Sequence, residues 1–142
     1  MPNLRGSFTQ SMDVKGRMSF PIKLREILGE QFVVTRGLGG CLFAYSVDDF
    51  EEMAERIRTL PKAKGGIEME RYFLSWASDV TADKQGRILI PQNLREFAGL
   101  DKEIIVTGVG ERAEIWDKAK WDELNRNIDE NSIMALMEEL NF

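Results

Sequence analysis

One segment of this chain occurs twice. The stretch Asp13-Val-Lys-Gly-Arg-Met-Ser-Phe-Pro-Ile-Lys-Leu-Arg-Glu26 returns seventy positions later as Asp83-Lys-Gln-Gly-Arg-Ile-Leu-Ile-Pro-Gln-Asn-Leu-Arg-Glu96, with seven of fourteen positions identical. The match continues beyond it: Gly29 with Gly99, Val34-Thr35 with Val106-Thr107, Tyr45 with Trp116, Phe50 with Trp121 and Ile57 with Ile128. Two copies of one unit therefore fill nearly all of the 142 residues. A period of this kind restricts the fold to what a small unit can build with its own duplicate.

Each unit reads as β-β-α-β-β-α. Leu4 to Met12 leads into Asp13-Val-Lys-Gly16, a hairpin turn in which Asp bonds nearby backbone and Gly takes positive φ. Arg17-Met-Ser-Phe20 and Arg87-Ile-Leu-Ile90 alternate with the period of half-buried strands. Pro21 and Pro91 then stand at the expected first helical position, N1. Ile22, Leu24, Ile27 and Leu28 are expected to line that short helix, and Gly29 to stop it. Phe32-Val-Val-Thr35 and Ile104-Ile-Val-Thr107 read as strands, as do Cys41 to Tyr45 and Ala113 to Trp116. Ser46 is the expected N-cap of the next helix, with Asp49 at the capping-box position, and Asp117 is expected to act likewise in the second unit. Lys62 to Gly66 reads as a hinge. Two amphipathic helices are expected outside the repeats, one over Glu68 to Trp76 and one over Ser132 to Phe142. The organisation is thus a first unit over 4–60, a linker and connecting helix over 61–76, a second unit over 77–128 and a helical tail over 129–142.

Composition narrows the function. With no histidine and one cysteine, Cys41, the chain lacks the usual general base, a zinc cage and any intrachain disulfide. The expectation is a non-enzyme without cofactor, metal or small-molecule substrate, working in a reducing cytoplasm. No apolar run approaches the roughly 20 residues of a membrane span, and no apolar stretch of a signal peptide follows Met1. The net charge is -5, but it is unevenly spread. Residues 1–25 hold five basic side chains against Asp13 alone, whereas residues 111–142 hold four basic and nine acidic ones. A basic front with an acidic back suits a protein that meets phosphate with one face.

The candidate DNA-binding residues follow from that distribution. Arg17 and Arg87 stand just after tight turns, and their planar forks match guanine edges and phosphates. Lys15, Lys84, Lys23, Arg25, Arg95 and Arg5 are candidate phosphate contacts that would set register. Asp13 and Asp83 have two readings: pinning the guanidinium for DNA, or simply capping the turn. Arg25 and Arg95 are equally open between DNA contact and pairing with nearby Glu. Gly16 and Gly86 are read as turn glycines. Trp76, Trp116 and Trp121 are read as core or interface anchors, and Cys41 as inert.

The paired motif, Asp-x-x-x-Arg, a strand, then Pro-x-x-Leu-Arg, resembles the MraZ family. More distantly it is similar to swapped-hairpin DNA-binding domains of the AbrB and SpoVT type. The resemblance runs from about Leu4 to Trp121. It implies an α+β, mainly β fold: two swapped-hairpin units related by a pseudo-twofold axis, closed into a small β-barrel with flanking helices. It also implies subunits associated into a ring-like homo-oligomer. Such a protein would bind double-stranded DNA at short direct repeats in the promoter of its own division and cell-wall operon, control its transcription and lie on the nucleoid. Asp13, Arg17, Asp83 and Arg87 match the family motif residue by residue. Two rivals remain: a protein-interaction module such as an antitoxin-like partner binder, and an enzyme using carboxylates such as Asp13 and Asp83.

Overall fold

The computed structural model describes residues 3–142. Both repeats fold into the same series. The first gives β1 (Leu4–Ser11), β2 (Arg17–Ser19), α1 (Ile22–Leu28), β3 (Gln31–Arg36), β4 (Leu42–Ser46) and α2 (Val47–Arg58). A 3-10 turn (Lys62–Lys64) and α3 (Gly66–Phe73) connect it to the second. That repeat gives β5 (Ser78–Thr81), β6 (Arg87–Leu89), α4 (Gln92–Ala98), β7 (Glu103–Gly110), β8 (Ala113–Asp117) and α5 (Lys118–Arg126), followed by α6 (Glu130–Glu139). The class is α+β, and every strand pairing is antiparallel.

The first strand of each repeat is given to the other. A six-stranded sheet runs β1-β7-β8-β4-β3-β5, and a separate two-stranded ribbon joins β2 to β6. Thus β1 of the first repeat pairs with β7 of the second, while β5 of the second pairs with β3 of the first. The two exchanges use one register. Ser11 faces Glu103 and Phe8 faces Val106, just as Thr81 faces Gln31 and Ser78 faces Val34. Strands this short bury too little alone; exchanged, they share one core. Met18, Phe20, Leu24, Phe32 and Val34 pack with Ile88, Ile90, Leu94, Ile104 and Val106 in a single buried cluster. A second cluster gathers Cys41, Phe43, Ile57, Phe73, Ile105 and Trp116.

Several local expectations are corrected. Among the described residues β1 and β5 stand at the two edges of the six-stranded sheet and do not pair with each other, so its hydrogen bonds close no barrel. Likewise β1 and β2 meet only at one bridge, Met12 with Met18, because each strand's main partner lies in the other repeat. Pro21 and Pro91 are N-caps, one place before N1. Their extended ψ lets each carbonyl accept the first helical N–H groups, Leu24 and Arg25 or Leu94 and Arg95. A seven-residue helix on a core buries one narrow stripe, so α1 hides Leu24 and Leu28 but leaves Ile22 62% and Ile27 44% exposed. Ser46 caps α2, its Oγ accepting from the Asp49 N–H at 3.1 Å. Asp117 occupies the same place before α5, yet its Oδ1 accepts from the Asp101 N–H at 3.1 Å instead. Cys41 lies just before β4 and is fully buried, and burial pushes its thiol up to about 12. The tail forms α6, but Ile133, Leu136, Met137 and Leu140 remain exposed.

Candidate nucleic-acid interface

The two Asp-x-x-Gly-Arg segments fold into the same turn. Asp13 Oδ1 accepts the N–H groups of Lys15 and Arg17, both at 2.9 Å. Asp83 Oδ1 accepts those of Gln85 and Arg87 at the same distance. The backbone closes each loop, with Gly16 N–H donating to Asp13 O at 3.0 Å and Gly86 N–H to Asp83 O at 2.9 Å. Positive φ at Gly16 (89°) and Gly86 (77°) makes the reversal possible. The second carboxylate oxygen faces the arginine: Arg87 Nε stands 3.1 Å from Asp83 Oδ2, and Arg17 Nε 3.6 Å from Asp13 Oδ2. These backbone bonds, above all from the N–H of the Arg four residues on, hold both carboxyls below the usual aspartate value. Asp13 also feels the charge of Arg87 from the opposite repeat.

The ribbon explains that proximity. Met18 faces Ile88, Arg17 faces Leu89 and Ser19 faces Arg87. Met18 and Ile88 point inward and are buried, so alternation sends Arg17, Ser19, Arg87 and Leu89 to the outer face. Arg17 and Arg87 are diagonal neighbours on that face, a relation that places Cα atoms about 7–8 Å apart. Both are about two-fifths exposed. The exposed tips differ: Val14 and Lys15 in one turn, Lys84 and Gln85 in the other.

Other candidates stand elsewhere. Arg5 on β1 and Lys23 on α1 are exposed and line one shallow hollow with Phe8 and Ile27, to which neither ribbon arginine contributes. Arg25 and Arg95 are only partly exposed. Arg25 Nε donates to Phe20 O at 3.1 Å and Arg95 Nε to Ile90 O at 2.9 Å. Their guanidinium ends reach across the molecule. A Cβ on Gly86 would lie 2.6 Å from Arg25 Nη2, and one on Gly16 would lie 2.5 Å from Arg95 Nε. Gly16 and Gly86 are thus more than turn glycines: each leaves room for an arginine of the other repeat.

Arg36 carried no sequence signal. Its guanidinium lies 4.1 Å from the Tyr72 ring centroid and 4.2 Å from that of Trp76, while Nε donates to Tyr72 O at 3.0 Å. Stacking there ties α3 to β3. Trp116 is buried and stacks obliquely on Trp121.

Fold and site together define a class: a duplicated, strand-exchanged α+β protein presenting two aspartate-braced arginines on one outward ribbon. The family model described as "MraZ protein, putative antitoxin-like" matches residues 4–67 and 73–141. The chain belongs to the MraZ family. It is 45% identical over 135 residues to the transcriptional regulator MraZ of Acetivibrio thermocellus, covering 93% of this chain and 94% of that one. It is 47% identical over 137 residues to that of Clostridium beijerinckii, covering 95% and 96%. With the regulator of Lachnoclostridium phytofermentans it shares 48% over 117 residues, 82% and 83% of the two chains.

Proposed function

We propose that this chain is a sequence-specific regulator of transcription that reads double-stranded DNA with Arg17 and Arg87. The observation that carries this is their placement as diagonal neighbours on the outer face of the β2–β6 ribbon. A two-stranded ribbon fits a B-DNA major groove, where an arginine fork takes guanine O6 and N7. Asp13 and Asp83 serve the site by holding the turns and leaving each guanidinium extended. Lys15 and Lys84 at the tips contact flanking phosphate, and Arg5 and Lys23 add charge at a distance. In keeping with the family, the targets are short direct repeats in the promoter of the chain's own division and cell-wall operon, on the cytoplasmic nucleoid.

One ribbon neutralises few phosphates, so a ring-like homo-oligomer gripping several repeats would supply avidity. The exposed apolar stripe of α6, Ile133, Leu136, Met137 and Leu140, supports self-association. The same stripe favours the second reading, an antitoxin-like module that binds a protein partner. Footprinting the purified chain on DNA upstream of its own gene, at low and high salt, tests the proposal. Protected, regularly spaced boxes are expected. An unprotected fragment together with a co-purifying small protein would support the rival.

A further inference from the structure

We infer that Arg25 and Arg95 are positioning residues for DNA reading, each setting the recognition turn of the opposite repeat, and that neither contacts phosphate. The inference rests on the proposed function. The geometry is a reciprocal pair of circuits. Phe20 N–H donates to Gly86 O at 3.0 Å, Phe20 O accepts from Arg25 Nε at 3.1 Å, and the Arg25 guanidinium lies on Gly86. In the other circuit Ile90 N–H donates to Gly16 O at 2.9 Å and Ile90 O accepts from Arg95 Nε at 2.9 Å. Here the Arg95 guanidinium lies on Gly16.

Each turn is therefore held from two sides. Its own Asp fixes the loop from within, and the other repeat's arginine fixes its glycine from behind. Gly16 and Gly86 are buried although the residues at both tips are exposed. Arg25 and Arg95 use Nε, the donor lysine lacks, and keep it directed inward. The Arg25 side chain is only 15% exposed, which leaves little of it for phosphate. Since Arg17 and Arg87 each follow one of these glycines, a loosened turn misdirects the reading arginine. Arg25 thus acts on Arg87, and Arg95 on Arg17.

The test uses Arg25→Lys and Arg95→Lys in the full chain, beside Arg17→Ala, with a duplex from upstream of its own gene titrated across 50–200 mM salt. A phosphate contact would tolerate lysine, because lysine supplies the same charge. The expected result is an affinity loss of about tenfold or more with an unchanged salt slope. Hydrogen exchange gives a readout independent of DNA. In Arg25→Lys exchange should quicken over residues 83–87 and stay unchanged over 13–17; Arg95→Lys should reverse this. Wild-type affinity with lysine, or exchange that quickens only near the substituted residue, would overturn the inference. A wild-type chain that binds no duplex sinks the proposed function and this inference together. Loss in Arg17→Ala without loss in either lysine variant sinks this inference alone.

Discussion

The glycines of the two turns carry a double constraint. Positive φ costs an L-residue roughly 1–2 kcal/mol, and a Cβ there would also strike a guanidinium. Gly65 separates the two effects, since its φ is 97° but no atom lies within 4 Å of a Cβ placed on it. Gly65→Ala should lose only the backbone component, about 1–2 kcal/mol. Gly16→Ala and Gly86→Ala should lose more, by about 1 kcal/mol or above, for displacing a packed side chain. Urea unfolding of the three variants checks this; equal losses would mean that the guanidinium contacts carry no stability. The aspartates add a pH signature. Their folded-state values lie below the ordinary aspartate value of 3.8, mainly through backbone N–H bonds from Arg17 and Arg87. A lowered value means the contribution is complete above 3.8 and fades as pH falls through the folded value. Exchange protection at the Arg17 and Arg87 amides should therefore be flat from pH 7 to about 5 and be lost only as pH falls through the lowered carboxylate value, after correction for intrinsic rates. Protection lost near pH 6 would point to another group.

Exchange of strands makes one glycine decisive for the pairing of β1 with β7. A Cβ on Gly108 would lie 2.3 Å from Arg5 N and 2.5 Å from Leu4 C, so β1 could not stay paired to β7. Backbone cannot swing aside as a side chain can, so Gly108→Ala should destabilise by about 3 kcal/mol or more, read by thermal or urea unfolding. A stable variant would show that β1 is dispensable. The tail should behave in the opposite way. Helix α6 buries no residue of its own, so removing 129–142 should leave the unfolding midpoint nearly unchanged. It should lower the assembly size measured by light scattering. An unaltered assembly would free α6 for another partner. Which elements form was largely legible: alternation and β-branched runs marked the strands, and Ser46 and Gly29 marked helix ends. Which strand pairs with which was not, because alternation identifies a buried face and not its neighbour. Asp117 resembles an N-cap in sequence because the amide it actually binds, Asp101, lies sixteen residues away.

Across the molecule, duplication turns two weak features into one site. The repeat itself located Asp13, Arg17, Asp83 and Arg87, since only paired motifs could be compared. Their meeting on one ribbon depends on the strand exchange, which no local pattern encodes. Arg25 and Arg95 are ambiguous in sequence for the same reason: Arg25 does meet a nearby Glu, its Nη1 standing 3.8 Å from Glu30 Oε1, but the glycine that each guanidinium packs on, Gly86 or Gly16, lies far away in the chain. Arg36 depends on Tyr72 of α3, Trp76 in the turn after it and Phe97 of α4, which sequence does not bring together.

Whether Arg17 and Arg87 read DNA is decided by the affinity of Arg17→Ala, Arg87→Ala and the double variant for duplex DNA from upstream of the gene, each confirmed folded. About tenfold loss is expected for each single variant and about a hundredfold for the double, at 1–3 kcal/mol per good arginine–base contact. A folded double variant that binds as wild type, with the same salt slope, would contradict that role for the two arginines.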